Sequence, residues 1–169
     1  MNLTELFLRQ LDEEAELTRR AIESVPANKA DWKPHEKSMP MGRLANLVAI
    51  MPSWISMIVD KDELDVKPKG GSAYSTADAP QTNDALMKAH DEAVASARKA
   101  LSETNEDFLK TPWKLLESGK LVDEKARYLF IADNFTHHAH HRGQLTVYLR
   151  LNNAKVPAIY GPSADDHRF

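Results

Sequence analysis

Length, composition and charge set limits before any motif is considered. The chain has 169 residues, of which 42% are hydrophobic and 28% charged, a balance typical of an ordinary folded domain. Cysteine is absent, which excludes disulfides, thiolate metal sites and a cysteine nucleophile. The net charge of −3 offers no basic field for phosphates, so we expect a single domain, 1–169, that does not bind nucleic acid.

The sequence shows no signal for export or membrane insertion. The N-terminus has no basic residues ahead of an apolar core, so a secretory signal is not expected. The most apolar stretch, 44–59, is short and contains Asn46 and Pro52, which indicates a buried helix. We therefore expect a cytoplasmic protein with no membrane partner.

Hydrophobic residues recur at three- and four-residue spacing in four segments, which predicts four helices. The predicted helices span 2–25, 41–60, 82–104 and 123–152. Pro52 predicts a kink or break inside the second helix, and Thr82 or Asn83 is the expected cap of the third. The sequence therefore predicts an all-α four-helix bundle.

The connections between these helices are polar or rich in proline. Residues 27–40 predict an ordered turn, with Trp32 packed against the bundle. Residues 61–80 form the longest predicted loop, and 105–122 are irregular, with room for a short extended excursion. No segment alternates polar and apolar residues well enough to predict a sheet.

The last predicted helix contains four of the seven histidines: His137, His138, His140 and His141. In a helix, His137 and His141 lie one turn apart on one face, where both rings could reach one ion. At about 100° per residue, this pair falls in the band predicted to face the interior, with His138 and His140 at its margins. The alternative is that these histidines hydrogen-bond locally and fill a polar gap.

Two histidines are fewer than the three protein ligands that zinc normally uses. The candidates for completing the site are Glu14 on the first helix, His35 in the turn and His90 on the third helix. A structural role is the alternative for each of them. A buried carboxylate needs a partner, and a buried histidine is more often satisfied by hydrogen bonds within the core.

Three segments resemble the DinB/YfiT-like family: WKPHEKSM at 32–39, RLANLVAIMPSW at 43–54, and HHAHHRGQLTVYLRLNNAKVPAIYGPSADD at 137–166. The resemblance implies a four-helix bundle of up-down-down-up topology, often dimeric, with a divalent metal held by three histidines. Two of those ligands match His137 and His141. The third belongs to a pattern like L-A-x-H-L-A-x-x-P-x-W, where this sequence has Leu47.

Leu47 has no donor atom, so we expect nickel or zinc to bind weakly or not at all. The favoured function is a non-catalytic or metal-poor DinB-like protein that binds a small molecule in the remaining pocket or acts through dimerisation, with a homodimer as the expected assembly. The alternative, implied by characterised relatives, is a divalent-metal-dependent transferase that adds a low-molecular-weight thiol, of the bacillithiol or mycothiol type, to an electrophile. In that case His137 and His141 are the metal ligands and 61–80 is the rim of the cleft. No catalytic residue is assigned.

Overall fold

The computed structural model describes residues 1–70 and 82–168. Within these residues the helices are α1 (Leu3–Glu23), α2 (Met41–Ile50), α3 (Ser53–Asp60), α4 (Asn83–Glu103), α5 (Glu106–Leu109) and α6 (Arg127–Leu151). The strands are β1 (Glu63–Asp65), β2 (Pro112–Glu117) and β3 (Lys120–Ala126). The predicted helical character is confirmed, since the protein is mainly helical, but the prediction of no sheet is wrong because a three-stranded sheet is present. The four-helix bundle stays a prediction.

Local sequence explains where several helices begin. Asn2 and Glu5 form a capping box at the start of α1, each side chain accepting a hydrogen bond from the other's backbone N–H. Thr82 accepts a hydrogen bond from the N–H of Ala85, which confirms the predicted cap of α4. The last predicted helix began too early, because 120–126 form β3 and α6 starts at Arg127.

The predicted break at Pro52 is confirmed. It separates α2 from α3, which are bent by 49°. Because proline has no N–H, the carbonyl oxygen of Val48 loses its partner one helical turn later. His138 Nε2 lies 2.8 Å from that oxygen, and His90 Nδ1 lies 3.2 Å from the oxygen of Ala49. The imidazole of His138 on α6 thus lies where it can donate to a carbonyl group that the break exposes, and the ring of His90 on α4 lies beside a second one.

The sheet orders its strands β1-β2-β3, with β1 parallel and β3 antiparallel to β2. Ser118 and Gly119 join β2 to β3, and their φ values of 53° and 74° match a two-residue hairpin turn of type I′. The carboxylate of Asp65 accepts hydrogen bonds from both of their N–H groups, at 3.0 and 2.7 Å. Burial would raise the pKa of Asp65, but these bonds and one from the N–H of Lys67 lower it. The turn is therefore tied directly to β1.

Buried hydrophobic residues form two clusters. The first joins α1, α2 and α6, and Trp32 packs against it with its ring 5.5 Å from that of Tyr148, as predicted. The second lies where α6 meets the sheet, and there Trp113 of β2 packs edge-on against Phe130 at 4.7 Å. This second cluster places β2 beside the N-terminal third of α6.

Some expectations stay predictions, namely the up-down-down-up order and the single domain over 1–169. The predicted loop 61–80 contains β1, and its remainder from residue 71 lies outside the described residues. No single helix in 1–70 or 82–168 is long and apolar enough to cross a bilayer. The bent pair α2 and α3 passes that test together, by length and composition only.

Candidate functional site

The inward face of α6 differs from the predicted one. The helix buries Ile131, Asn134, Phe135, His138, Arg142, Leu145 and Leu149, among others. His138, predicted at the margin, is only 3% exposed, whereas His137 is exposed and His141 is half-buried. The prediction that His137 and His141 face the interior is therefore wrong. His138 takes the inward position because its ring bonds the Val48 carbonyl left free by Pro52, and His137 lies about 100° away.

His137 and His141 are nevertheless in direct contact, with their Nε2 atoms 2.8 Å apart. His141 Nδ1 lies 2.8 Å from Gln144 Oε1, which can only accept a hydrogen bond. With the Gln144 amide in this orientation, His141 donates from Nδ1, which leaves its Nε2 to accept from His137 Nε2–H. Burial, followed by the nearby His141 and His140, lowers the pKa of His137. We refer to His137 and His141 as the histidine pair.

The histidine pair supplies two of the three metal ligands that the family resemblance implies. In this arrangement Gln144 would orient the ring of His141, as outer-shell partners of metal ligands do. Leu47 is buried in α2, which runs antiparallel to α6 as the Asn134–Met51 and His138–Val48 contacts show. Among residues 1–70 and 82–168, no group of three or more histidine or acidic side chains is placed to hold a metal ion.

Glu14 belongs to a different polar cluster, which the sequence analysis did not identify. Its carboxylate lies 2.6 Å from Arg142 Nη2 and accepts a hydrogen bond from the hydroxyl of Tyr160. Arg142 also donates to Thr18 Oγ1 at 2.9 Å. Burial and Glu14 raise the pKa of Tyr160, against the opposing charge of Arg142. Glu14 is thus paired with the buried guanidinium of Arg142. This contact matches the structural role that was the alternative to metal binding.

His90 and His35 also make local contacts. The two ring nitrogens of His90 lie 3.2 and 3.1 Å from the carbonyl oxygens of Ala49 and Ala15. His35 is exposed, and its Nδ1 accepts a hydrogen bond from the N–H of Lys37. His35 matches its structural alternative as a turn residue. His90 matches the alternative of a core histidine, and its neutral ring can donate to one of the two carbonyl oxygens.

A cavity of about 500 Å³ lies between α3, α6 and the sheet. Its lining consists of Trp54, Met57, Ile58, Leu64, Val66, Trp113, Leu115, Phe130, Asp133, Asn134 and His137. The ring of His137 lies 5.7 Å from that of Trp54, which places the histidine pair at one side of the cavity. The volume falls within the range of small-molecule sites. Sequence reasoning missed this cavity because β2, which contributes Trp113 and Leu115, was predicted to be irregular.

A groove of about 630 Å³ between α1 and α4 is a weaker candidate. Two ion pairs cross it, Arg19 with Asp91 and Arg98 with Asp12. Each of these four charged side chains is already paired with another, so none of the four is left unpaired for a ligand.

The structure defines a mainly helical domain whose last helix places a histidine pair beside an apolar cavity. The model of the DinB family matches residues 1–168. The chain therefore belongs to the DinB family, which confirms the resemblance seen in the sequence.

Two solved structures share the fold. A DinB-like protein from Bacillus cereus ATCC 10987 aligns with a TM-score of 0.72 and 20% identity, over 92% of this chain and 97% of that one. A DinB-like protein from Bacillus subtilis, YjoA, aligns with a TM-score of 0.66 and 15% identity, over 89% and 93%. At these identities the likeness shows the fold alone. No curated protein matches the chain.

Proposed function

We propose that this DinB-family protein binds a small molecule in the cavity beside the histidine pair. The observation that carries the proposal is a cavity of about 500 Å³ whose lining is mostly hydrocarbon and which reaches His137. Its walls belong to α3, α6, β1 and β2, apart from Val66, which directly follows β1. Each square ångström of apolar ligand surface removed from water there contributes about 25 cal/mol to binding.

The histidine pair then provides polar contacts at one side of the cavity. The lowered pKa of His137 favours a neutral ring, which can donate or accept a hydrogen bond. Metal binding in this proposal is weak or absent, because Leu47 offers no third donor. Neither histidine is proposed as a catalytic residue.

A filled cavity provides the test of this function. Leu115→Trp places an indole within the lining, whereas Leu121→Trp makes the same change at an exposed position of β3. Naphthalene serves as a neutral hydrocarbon probe, and calorimetry measures its affinity. We expect saturable binding to the unmodified protein and to Leu121→Trp, and at least a tenfold loss in Leu115→Trp. Equal affinity in both variants, or no binding to the unmodified protein, would contradict the proposal.

A divalent-metal-dependent thiol S-transferase is the second candidate function. The observation that favours it is the convergence of two Nε2 atoms, 2.8 Å apart, beside a cavity able to accept an apolar electrophile. A bound divalent cation would lower the pKa of a thiol and so favour the thiolate. The donor set falls one ligand short of the three-histidine site, so we derive no catalytic step through a metal.

Metal titration separates these two functions. We expect weak or no binding of Ni²⁺ and Zn²⁺ to the untagged protein by calorimetry. Leu47→His should raise the affinity by orders of magnitude, because a third imidazole replaces a water ligand. The double variant Leu47→His with His141→Ala should lose that gain. Tight stoichiometric metal in the unmodified protein would favour the transferase, and no gain from Leu47→His would show that position 47 does not face the pair.

We also propose that the protein is a homodimer. The family resemblance supports this assembly, and α6 exposes Leu129, Val147 and Leu151, whose burial between two copies would be favourable. Light scattering at tens of micromolar protein should report about twice the mass of the chain. The mass of a single chain would contradict the proposal.

A further inference from the structure

The cavity beside the histidine pair has exposed residues on one side. Among its described lining residues, Asp133 and His137 are exposed, and they lie about one turn apart on α6. The Asp133 carboxylate lies 2.5 Å from Lys125 Nζ, and Nε2 of His137 lies 2.8 Å from that of His141. We refer to Asp133 and His137 as the rim of the cavity. Because the rim side chains are exposed, a ligand group placed beside them stays in contact with water.

The buried residues of the lining present carbon atoms to the cavity. They are Ile58, Trp113, Phe130 and Asn134, and we refer to them as the inner wall. Trp113 Nε1 and Asn134 Oδ1 have no hydrogen-bond partner, but both atoms are buried beneath the cavity surface, where a ligand does not reach them. Asn134 Nδ2 already donates to the carbonyl oxygen of Met51. A ligand therefore meets hydrocarbon at the inner wall.

The cavity extends between α3 and α6 from the rim to the inner wall. At one end, the ring of Trp54 lies 5.7 Å from that of His137. Ile58 follows Trp54 by one turn of α3, and its carbonyl oxygen accepts a hydrogen bond from Arg127, the first residue of α6. His137 and Phe130 are seven residues apart, which corresponds to about 10 Å along the helix. A ligand that fills the cavity thus has one end near His137 and the other near Phe130.

The two ends of the cavity treat a polar group of a ligand differently. At the rim, a hydroxyl group keeps its hydrogen bonds to water. At the inner wall, it would lose those bonds and find no accessible protein partner, and such burial weakens binding. A molecule with polar groups at both ends would have to bury one of them against hydrocarbon.

We propose that the cavity takes a ligand whose polar groups all lie at one end, with a hydrocarbon body against the inner wall and the polar end at the rim beside His137. This inference rests on the proposed function, because it specifies the ligand class for the same cavity. It adds the orientation of the ligand, and it excludes molecules that are polar at both ends.

Two isomers with identical composition test the ligand class. In 2,3-naphthalenediol both hydroxyl groups lie at one end of the ring system, whereas 2,6-naphthalenediol has one at each end. Naphthalene shows whether the cavity binds the ring system at all. By calorimetry we expect the 2,3-isomer to bind within about threefold of naphthalene, because its hydroxyl groups stay hydrated. The 2,6-isomer should bind at least tenfold more weakly than the 2,3-isomer.

NMR measures the orientation of the bound 2,3-isomer. We expect nuclear Overhauser effects between the ligand protons next to the hydroxyl groups and the ring protons of His137. The protons at the opposite end of the ligand should instead contact the rings of Trp113 and Phe130. The reverse set of contacts would overturn the proposed orientation.

A hydroxyl group added to the inner wall should reduce the penalty on the 2,6-isomer. Ile58→Thr supplies that group, and Val59→Thr makes a similar change at the next residue of α3, which is not among the lining residues. We expect the difference between the two isomers to shrink at least threefold in Ile58→Thr and to stay unchanged in Val59→Thr. Retained naphthalene binding shows that each variant folds with an intact cavity. If Ile58→Thr does not fold, the isomers and the NMR contacts of the unmodified protein decide the question.

The possible failures of the two proposals differ. If naphthalene binds but the two isomers bind equally, or the 2,6-isomer binds more tightly, the ligand class is wrong and the cavity remains a binding site. An unchanged difference in a folded Ile58→Thr variant would also contradict burial of the second hydroxyl group at the inner wall. If none of the three probes binds, the proposed function itself fails.

Discussion

Neighbouring histidines on α6 differ sharply in their surroundings. On one face, His138 bonds the carbonyl oxygen of Val48, and Arg142 pairs with Glu14 and Thr18. On the other, the histidine pair is bonded to itself and to Gln144 at the protein surface, beside the apolar cavity that His137 lines. The first face is fixed by contacts to α1 and α2, whereas the side chains of the second bond one another beside the cavity.

The comparison shows that residue type alone does not define a site on this helix. His137 and His138 are adjacent, yet about 100° of rotation gives one a backbone carbonyl and the other the edge of a cavity. His138 provides a hydrogen-bond partner for the carbonyl oxygen of Val48, which the break at Pro52 leaves without one, so its role is structural. If this division is correct, changes on the first face should affect the free energy of unfolding, and changes on the second should affect binding.

The largest expected effect is the loss of the buried ion pair on the first face. Arg142→Met leaves the Glu14 carboxylate, which is 13% exposed, without its cation, and should lower the free energy of unfolding by about 3–5 kcal/mol. Urea unfolding measures this loss. Adding Glu14→Leu should recover part of it, because no unpaired charge then remains.

A surface ion pair provides the control for that change. Arg98 pairs with Asp12 between α4 and α1, and both side chains are about half exposed. Arg98→Met should therefore lower the free energy of unfolding by about 1 kcal/mol or less. Equal losses from Arg98→Met and Arg142→Met would contradict the view that burial makes the first face structural.

A smaller effect is expected where His138 replaces the missing N–H of Pro52. His138→Leu should lower the free energy of unfolding by about 1–3 kcal/mol, because the carbonyl oxygen of Val48 then has no donor. Pro52→Ala restores an N–H at the position that normally bonds this oxygen. In the double variant the loss should therefore shrink, and a double-mutant cycle by urea unfolding should give a coupling of about 1 kcal/mol. Strict additivity would show that His138 does not substitute for the proline.

The sequence allowed the helices, the Pro52 break and the proximity of the histidine pair to be predicted. Each depends on a local rule: the period of the α-helix, the missing N–H of proline, and the spacing of residues one turn apart. The rotation of α6 did not follow from such rules, because this helix has polar residues on both faces. Its orientation depends on partners elsewhere in the chain, the carbonyl of Val48 for His138 and the carboxylate of Glu14 for Arg142.

The sheet and the cavity were missed for a related reason. Strand β3 exposes Leu121 and Val122, so hydrophobic residues do not alternate there with a buried face. The Ser118–Gly119 pair was the available signal, since residues in a type I′ turn need positive φ. The cavity forms only when β2 packs against α6, so no local pattern in the sequence marks it.

The smallest expected effect concerns the pH dependence of stability and involves His90 of α4, whose ring nitrogens lie near the carbonyl oxygens of Ala49 and Ala15. His90 is 2% exposed, and burial lowers its pKa below 6.5 despite the carbonyl oxygens of Ala15 and Ala49 beside its two ring nitrogens. Between the lowered pKa of His90 in the folded protein and 6.5, this ring is therefore protonated in the unfolded chain and neutral in the folded protein. The contribution of neutral His90 is complete above pH 6.5 and is lost as the pH falls, by at most about 1.4 kcal/mol per pH unit.

Replacing this histidine should make the free energy of unfolding fall less steeply as the pH is lowered below 7. His90→Gln, followed by urea unfolding from pH 7 downward, should show a smaller decrease per pH unit than the unmodified protein. His35→Gln removes an exposed histidine and should leave the slope unchanged. Nitrogen-15 NMR of the unmodified protein should show one protonated ring nitrogen on His90 at pH 7. A doubly protonated ring would mean that the two carbonyl oxygens raise the pKa of His90 more than burial lowers it. The loss of stability at low pH would then not come from this residue.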